Sequence, residues 1–198
     1  MLVIGNGESR TGIDINAIND IKIGCNAIHR DFKVNHLVCV DRRMVDEAVK
    51  QSANEYALVY TREDWITHYN SKYKRIRQVP ELPYIGSDRW DEPFQWGSGP
   101  YAVLLAARLA KHKVNLLGFD LYSKSKFVNN VYKDTNNYDH ATKTAVDPRY
   151  WVHQISMVFQ CFPNIKFSIY QEANWQLPKP WKYSNVSLDN ISNIYYNT

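Results

Sequence analysis

Four short stretches bring together residue types that could do chemistry. The first is Gly5-Asn6-Gly7-Glu8-Ser9, directly after the apolar run Leu2 to Ile4. A buried strand that runs into such a turn offers main-chain N–H groups at its carboxyl end, and glycine lets an anion approach them closely. The second is Gly24-Cys25-Asn26, which closes the run beginning at Lys22. The third is Gly97-Ser98-Gly99-Pro100, ahead of an Ala/Leu-rich stretch of high helix propensity, so the Ser98 and Gly99 amides would open a helix. The fourth is Gly118-Phe119-Asp120-Leu121-Tyr122, the exit from Val114 to Leu117. Two N–H clusters at the carboxyl ends of strands are what a nucleotide phosphate needs. Plainer roles exist for each. Asn6 and Asn26 can close turns, Ser98 can cap a helix, and Tyr122 can pack at a rim.

The elements that would position these groups follow a repeating order of strand, polar stop and helix. Strands are expected at Leu2–Ile4, Lys22–Ala27, His36–Val40, Tyr56–Tyr60 and Val114–Leu117, each a short apolar run with a polar or small end. Met44, Val45, Ala48 and Val49 have helical spacing, as do Trp151, Val152, Ile155, Val158, Phe159 and Phe162. Ile165 to Tyr170 alternates like a half-buried strand, at the edge of the sheet or antiparallel to it. The pattern predicts a single α/β domain of Rossmann-like type, with a mostly parallel sheet and helices on both faces. Residues 61–96 give no clear pattern beyond a helix near Arg62–Tyr69 and read as a loop-rich excursion. Residues 122–148 are polar and read as a lid loop over a domain of residues 1–170, followed by an aromatic-rich tail at 171–198.

Bulk properties narrow the function. The chain has 198 residues, 44% hydrophobic and 22% charged, with a net charge of +4 and an abundance of Tyr and Trp. That is a folded globular protein that could bind a nucleotide or a sugar, without the basic stripe of a dedicated nucleic-acid binder. Three cysteines lack framework spacing; Cys25 and Cys39, in apolar runs, are expected as buried thiols, which points to a cytoplasmic location, and no structural zinc pattern is present. No signal peptide or membrane-spanning run is visible.

Val3-Ile-Gly-Asn-Gly-Glu-Ser9, Gly24-Cys-Asn26, Trp96-Gly-Ser-Gly-Pro-Tyr101 and Leu117-Gly-Phe-Asp-Leu-Tyr122 occur in an order that resembles the bacterial sialyltransferases of glycosyltransferase family 42. A looser resemblance is to the pterin pyrophosphokinase-like family. The similarity spans residues 1–171 in short islands. It implies a metal-independent, inverting transfer of a sugar, sialic acid-like, from a CMP-type nucleotide donor to a hydroxyl acceptor, with no resident cofactor. By the same resemblance Gly5, Asn6, Gly7, Ser9, Asn26, Ser98 and Gly99 would hold the nucleotide. Tyr122 would stabilise the departing phosphate, and His140 would be the general base. A second lid tyrosine has no match in register, leaving Tyr132 and Tyr138 open. Glu8 stands in place of the family's proline, Gly97 in place of its threonine, and Asp41 in place of an asparagine. Those carboxylates raise two other readings. One is an Mg²⁺-dependent phosphotransferase with Asp41, Glu8 or Asp120 as ligands, and the other is a binding protein without catalysis, with a homo-oligomer compatible with each.

Overall fold

The computed structural model describes residues 1–84, 96–123 and 125–196. The loop-rich reading of residues 85–95 therefore falls outside the described residues. Within them, eight strands form one sheet: β1 (Leu2–Ile4), β2 (Lys22–Cys25), β3 (His36–Val38), β4 (Leu58–Thr61), β5 (Ile76–Gln78), β6 (Lys113–Leu117), β7 (Lys166–Gln171) and β8 (Val186–Asn190). Every pairing is parallel, and the order across the sheet is β5-β4-β3-β2-β1-β6-β7-β8. The α/β, Rossmann-like expectation is met.

Alternation along the strands explains why both faces must be covered. Val3 enters one apolar cluster while Leu2 and Ile4 enter the other, and Val38 and Leu37 divide the same way. Strands apolar on both sides need helices on both sides. One face carries α1 (Arg42–Lys50), whose Met44, Val45, Ala48 and Val49 are buried against it. After it come the single turn α2 (Ala53–Tyr56) and α3 (Glu63–Asn70). The other face carries α4 (Ser98–Leu109) and α5 (Arg149–Cys161), which pack together with Trp96 and Trp181. α4 is buried on nearly all sides, which suits its Ala/Val/Leu composition: small residues let it lie flat on the sheet while α5 covers it.

Two strand expectations need correction. β7 is neither antiparallel nor an edge; it lies parallel between β6 and β8. The sequence past residue 171, read as lacking regular elements, supplies β8, and the unread stretch before residue 80 supplies β5. Both are edge strands with largely solvated side chains, so their residues carry no apolar alternation to betray them.

The order of the sheet positions the site. The chain runs outward from β1 to β5, returns through α4 on the opposite face, and continues from β6 in the other direction. β1 and β6 are therefore neighbours whose following loops diverge, and the crevice beyond their carboxyl ends is where ligands bind in open parallel sheets.

Candidate functional site

A cleft of about 500 Å³ opens at that crevice. Gly5, Asn6, Gly7, Asn26, Ser98 and Gly99 all line it together with Gly118 to Leu121, so residues from four separate islands of sequence meet there. Val128, Asn129, Asn130, Tyr138 and Asp139, from the segment expected to be a lid, line one side.

At the β1 side, the turn does something other than present free amides. Gly5 N–H donates to Leu117 O at 2.8 Å and Gly7 N–H to Gly118 O at 2.9 Å, tying the β1 exit to the β6 exit. Glu8 N–H donates to Asn129 Oδ1 (2.8 Å) and Ser9 N–H to Asp120 Oδ2 (2.9 Å). These four amides already have acceptors, so they are not free to cradle an anion as the sequence led us to expect. The glycines answer to space. A Cβ on Gly5 would overlap the Gly118 carbonyl, and one on Gly7 would overlap the Asp120 carboxyl. The buried Asp120 is in turn held by Ser9 Oγ and by Gln171 Nε2 at 2.9 Å. Its carboxyl group fills the turn.

The other side is open to a ligand. Gly97 precedes α4 without a side-chain cap, and the first helical amides, those of Ser98 and Gly99, border the cleft. Ser98 is not spent on capping. Its hydroxyl donates to Asn26 Oδ1 at 2.7 Å and accepts from Val40 N–H at 3.1 Å, so it joins α4 to the ends of β2 and β3. Asn26 has a left-handed backbone (φ 53°), a conformation that asparagine tolerates better than most residues. With Oδ1 bound by Ser98, its Nδ2 donors have no partner among the described residues. The lid adds Tyr138, whose hydroxyl accepts from Asn6 Nδ2 (3.1 Å) and Ala27 N–H (3.4 Å). Burial pushes its acidity well down, so it stays a neutral donor. Asn6 Oδ1 is buried without a hydrogen-bond partner. Of the two tyrosines left open by the sequence, Tyr138 borders the cleft. Tyr132 is buried behind it, linking Arg10 Nη2 (2.9 Å) to Asp31 Oδ2 (2.7 Å).

The remaining expected residues lie apart. Ser9 and Tyr122 line an adjoining cleft of about 660 Å³, with Tyr122 46% exposed. The two clefts share Asp120, Ser123, Val128 and Asn129. The His140 side chain is 89% exposed and borders neither; its Nδ1 lies 3.3 Å from Asp134 Oδ1. The two unusual carboxylates are accounted for. Glu8 pairs with Lys133 in the adjoining cleft. Asp41 caps α1, accepting from Arg43 N–H (2.9 Å) and Arg43 Nη2 (2.8 Å), and that guanidinium holds its carboxyl below the usual range. Asp41, Asp120 and Asp139 are the charged side chains among the described residues lining the first cleft; no Lys or Arg joins them. No group of three or more His, Cys, Asp or Glu among the described residues is arranged to hold a metal ion.

No protein-family model, curated protein or solved structure matches the chain. No helix among the described residues is long and apolar enough to cross a membrane.

Proposed function

We propose that the cleft binds a nucleotide-activated sugar and that the protein transfers the sugar to a hydroxyl acceptor. The observation that carries this reading is the convergence of neutral donors on one point of the sheet edge. The α4 amides, Asn26 Nδ2 and the Tyr138 hydroxyl all border the cleft beyond β1 and β6. Such donors stabilise negative charge growing on a leaving phosphate without a proton changing hands. The lining has no Lys or Arg among the described residues to offset the charges of a di- or triphosphate. It suits a singly charged phosphodiester, the linkage of a nucleoside monophosphate to a sugar. That preference agrees with the resemblance to the CMP-sugar-using sialyltransferases.

His140 is one residue from Asp139, which borders the cleft and pairs with Lys143 at 2.7 Å. For His140 to take the acceptor proton, the loop around residues 139–141 must turn inward when both substrates are bound; Asp139 is the base already at the rim. In this reading the acceptor is assigned to the adjoining cleft, which has Tyr122 and Trp175 among its walls.

The test is hydrolysis and transfer from CMP-sugars in the presence of chelator, for the wild type and for His140→Ala and Asp139→Asn. Loss of turnover in one variant with CMP affinity kept identifies the base. Turnover unchanged in both rules out both residues as the base, absence of turnover in the wild type sinks the transferase assignment, and a requirement for Mg²⁺ turns the reading to a phosphotransferase. CMP binding without turnover of any donor leaves a nucleotide-binding protein.

A further inference from the structure

His29 is a buried imidazole with no role in the reading so far. It lies in the 3-10 turn Asn26–Arg30, three residues after the asparagine at the cleft. Its Nδ1 is 2.9 Å from the Asn26 carbonyl oxygen. A carbonyl can only accept, so the proton is on Nδ1. The other nitrogen, Nε2, is buried without a hydrogen bond and lies 3.6 Å from Glu47 Oε1. Glu47 is occupied by other donors: Arg30 Nε (2.5 Å), Arg30 Nη2 (2.7 Å) and, from the tip of the lid, Asn137 Nδ2 (2.8 Å).

Asn26 needs such support. A non-glycine residue at positive φ costs of order 1 kcal/mol unless its surroundings hold it. Ser98 holds its side chain, and His29 holds its carbonyl; the Cys39 thiol, at 3.8 Å from the same oxygen, is a much weaker donor. Released, the peptide after Asn26 could relax toward ordinary backbone angles. A return of φ to ordinary values swings the Cα–Cβ bond, and with it the carboxamide, off Ser98.

We propose that His29 is a positioning residue: as the Nδ1–H tautomer it fixes Asn26 in the left-handed conformation that aims its carboxamide at the ligand. The proposal rests on Asn26 being a ligand contact, as the function above holds. Arg30, in the same turn, donates to Thr135 Oγ1 and the Asn136 carbonyl, and its partner Glu47 accepts from Asn137, so the turn is tied to residues 135–137.

Two measurements test it. Imidazole ¹⁵N spectra of the wild-type protein at pH 7.5, with no nucleotide added, report the tautomer. Protonation at Nδ1 of His29 is expected, and protonation at Nε2 overturns the inference whether or not any nucleotide binds. Calorimetric titration with CMP then compares His29→Asn, whose amide nitrogen falls near Nδ1, with His29→Gln, whose amide nitrogen falls near Nε2. The Asn variant should bind within about threefold of the wild type and the Gln variant about tenfold more weakly, the loss expected for one main-chain hydrogen bond. Equal affinities in the two variants overturn the inference. Should the wild type bind no CMP, the nucleotide reading fails, and the tautomer still decides whether His29 holds Asn26.

Discussion

Ser98 at the first turn of α4 donates its hydroxyl proton to the side-chain oxygen of Asn26 at the end of β2, across 2.7 Å and 72 residues of sequence. This one bond joins a helix on one face of the sheet to a strand end, and it turns the asparagine so that its donors are left for something else. The same oxygen of Ser98 receives Val40 N–H, so three elements meet at one hydroxyl.

Ser98→Ala should cost the fold about 1–2 kcal/mol, because Val40 N–H and Asn26 Oδ1 both lose a buried partner. CMP binding should fall further than the stability loss explains, since Asn26 is no longer aimed. Urea denaturation gives the first quantity and calorimetric titration the second. An affinity equal to the wild type would remove Ser98 from the account of the cleft.

Gly7 has an ordinary backbone (φ −65°, ψ 149°), so an alanine there meets no conformational penalty. Its added methyl collides with the buried Asp120 carboxyl, which must leave Ser9 and Gln171 to make room. Gly7→Ala is expected to destabilise by about 2–3 kcal/mol, as overpacking and lost hydrogen bonds combine. The urea midpoint measures it; an unchanged midpoint would mean that the β1 and β6 exits are not packed as described.

Tyr132→Phe keeps the ring that stacks near Arg10 and Tyr138 and removes the hydroxyl between Arg10 and Asp31. The cost should be about 1–2 kcal/mol, concentrated in the lid. Hydrogen exchange should speed up for amides in residues 128–138 and stay unchanged in β1 and β6. Uniform speeding across the sheet would contradict a local anchor.

Burial holds His29 and His36 below the ordinary imidazole pKa. Around His29, Glu47 and Asp31 pull the other way and Arg30 adds to the depression, with burial the largest effect. Both rings are neutral in the folded and unfolded chain above the unfolded value, about 6.5, and the stability this supports is fully present there. Below it, the unfolded chain takes up protons first, so stability falls as the pH drops through the folded values. Glu47 and Asp41, held low by Arg30 and Arg43, extend the decline into the carboxylate range. The urea midpoint should drop between pH 7.5 and 5.5, and less so in His29→Asn. Identical slopes for that variant and the wild type would exclude His29 as a contributor.

Much of this protein was legible in its residues, because local rules wrote it. Short apolar runs ending in glycine or asparagine marked β1, β2 and β6, and small residues after Gly97-Ser98-Gly99 marked α4. Strands apolar on both faces required a parallel sheet with helices on either side. Edge strands β5 and β8 stayed hidden, since a half-solvated strand needs no alternation. What the sequence could not specify was which groups of each island would remain free. The same Gly5-Asn6-Gly7 turn reads as an anion cradle or as a packing joint. Only tertiary structure decided, by running the β6 exit against it and filling its amides with Asp120 and Asn129. Likewise Tyr138 and Tyr132 are equivalent in a polar loop. The lid's fold put one at the cleft and the other behind it, because hydrogen-bond partners distant in the chain, Asn6 for one and Arg10 with Asp31 for the other, fix where each hydroxyl comes to rest.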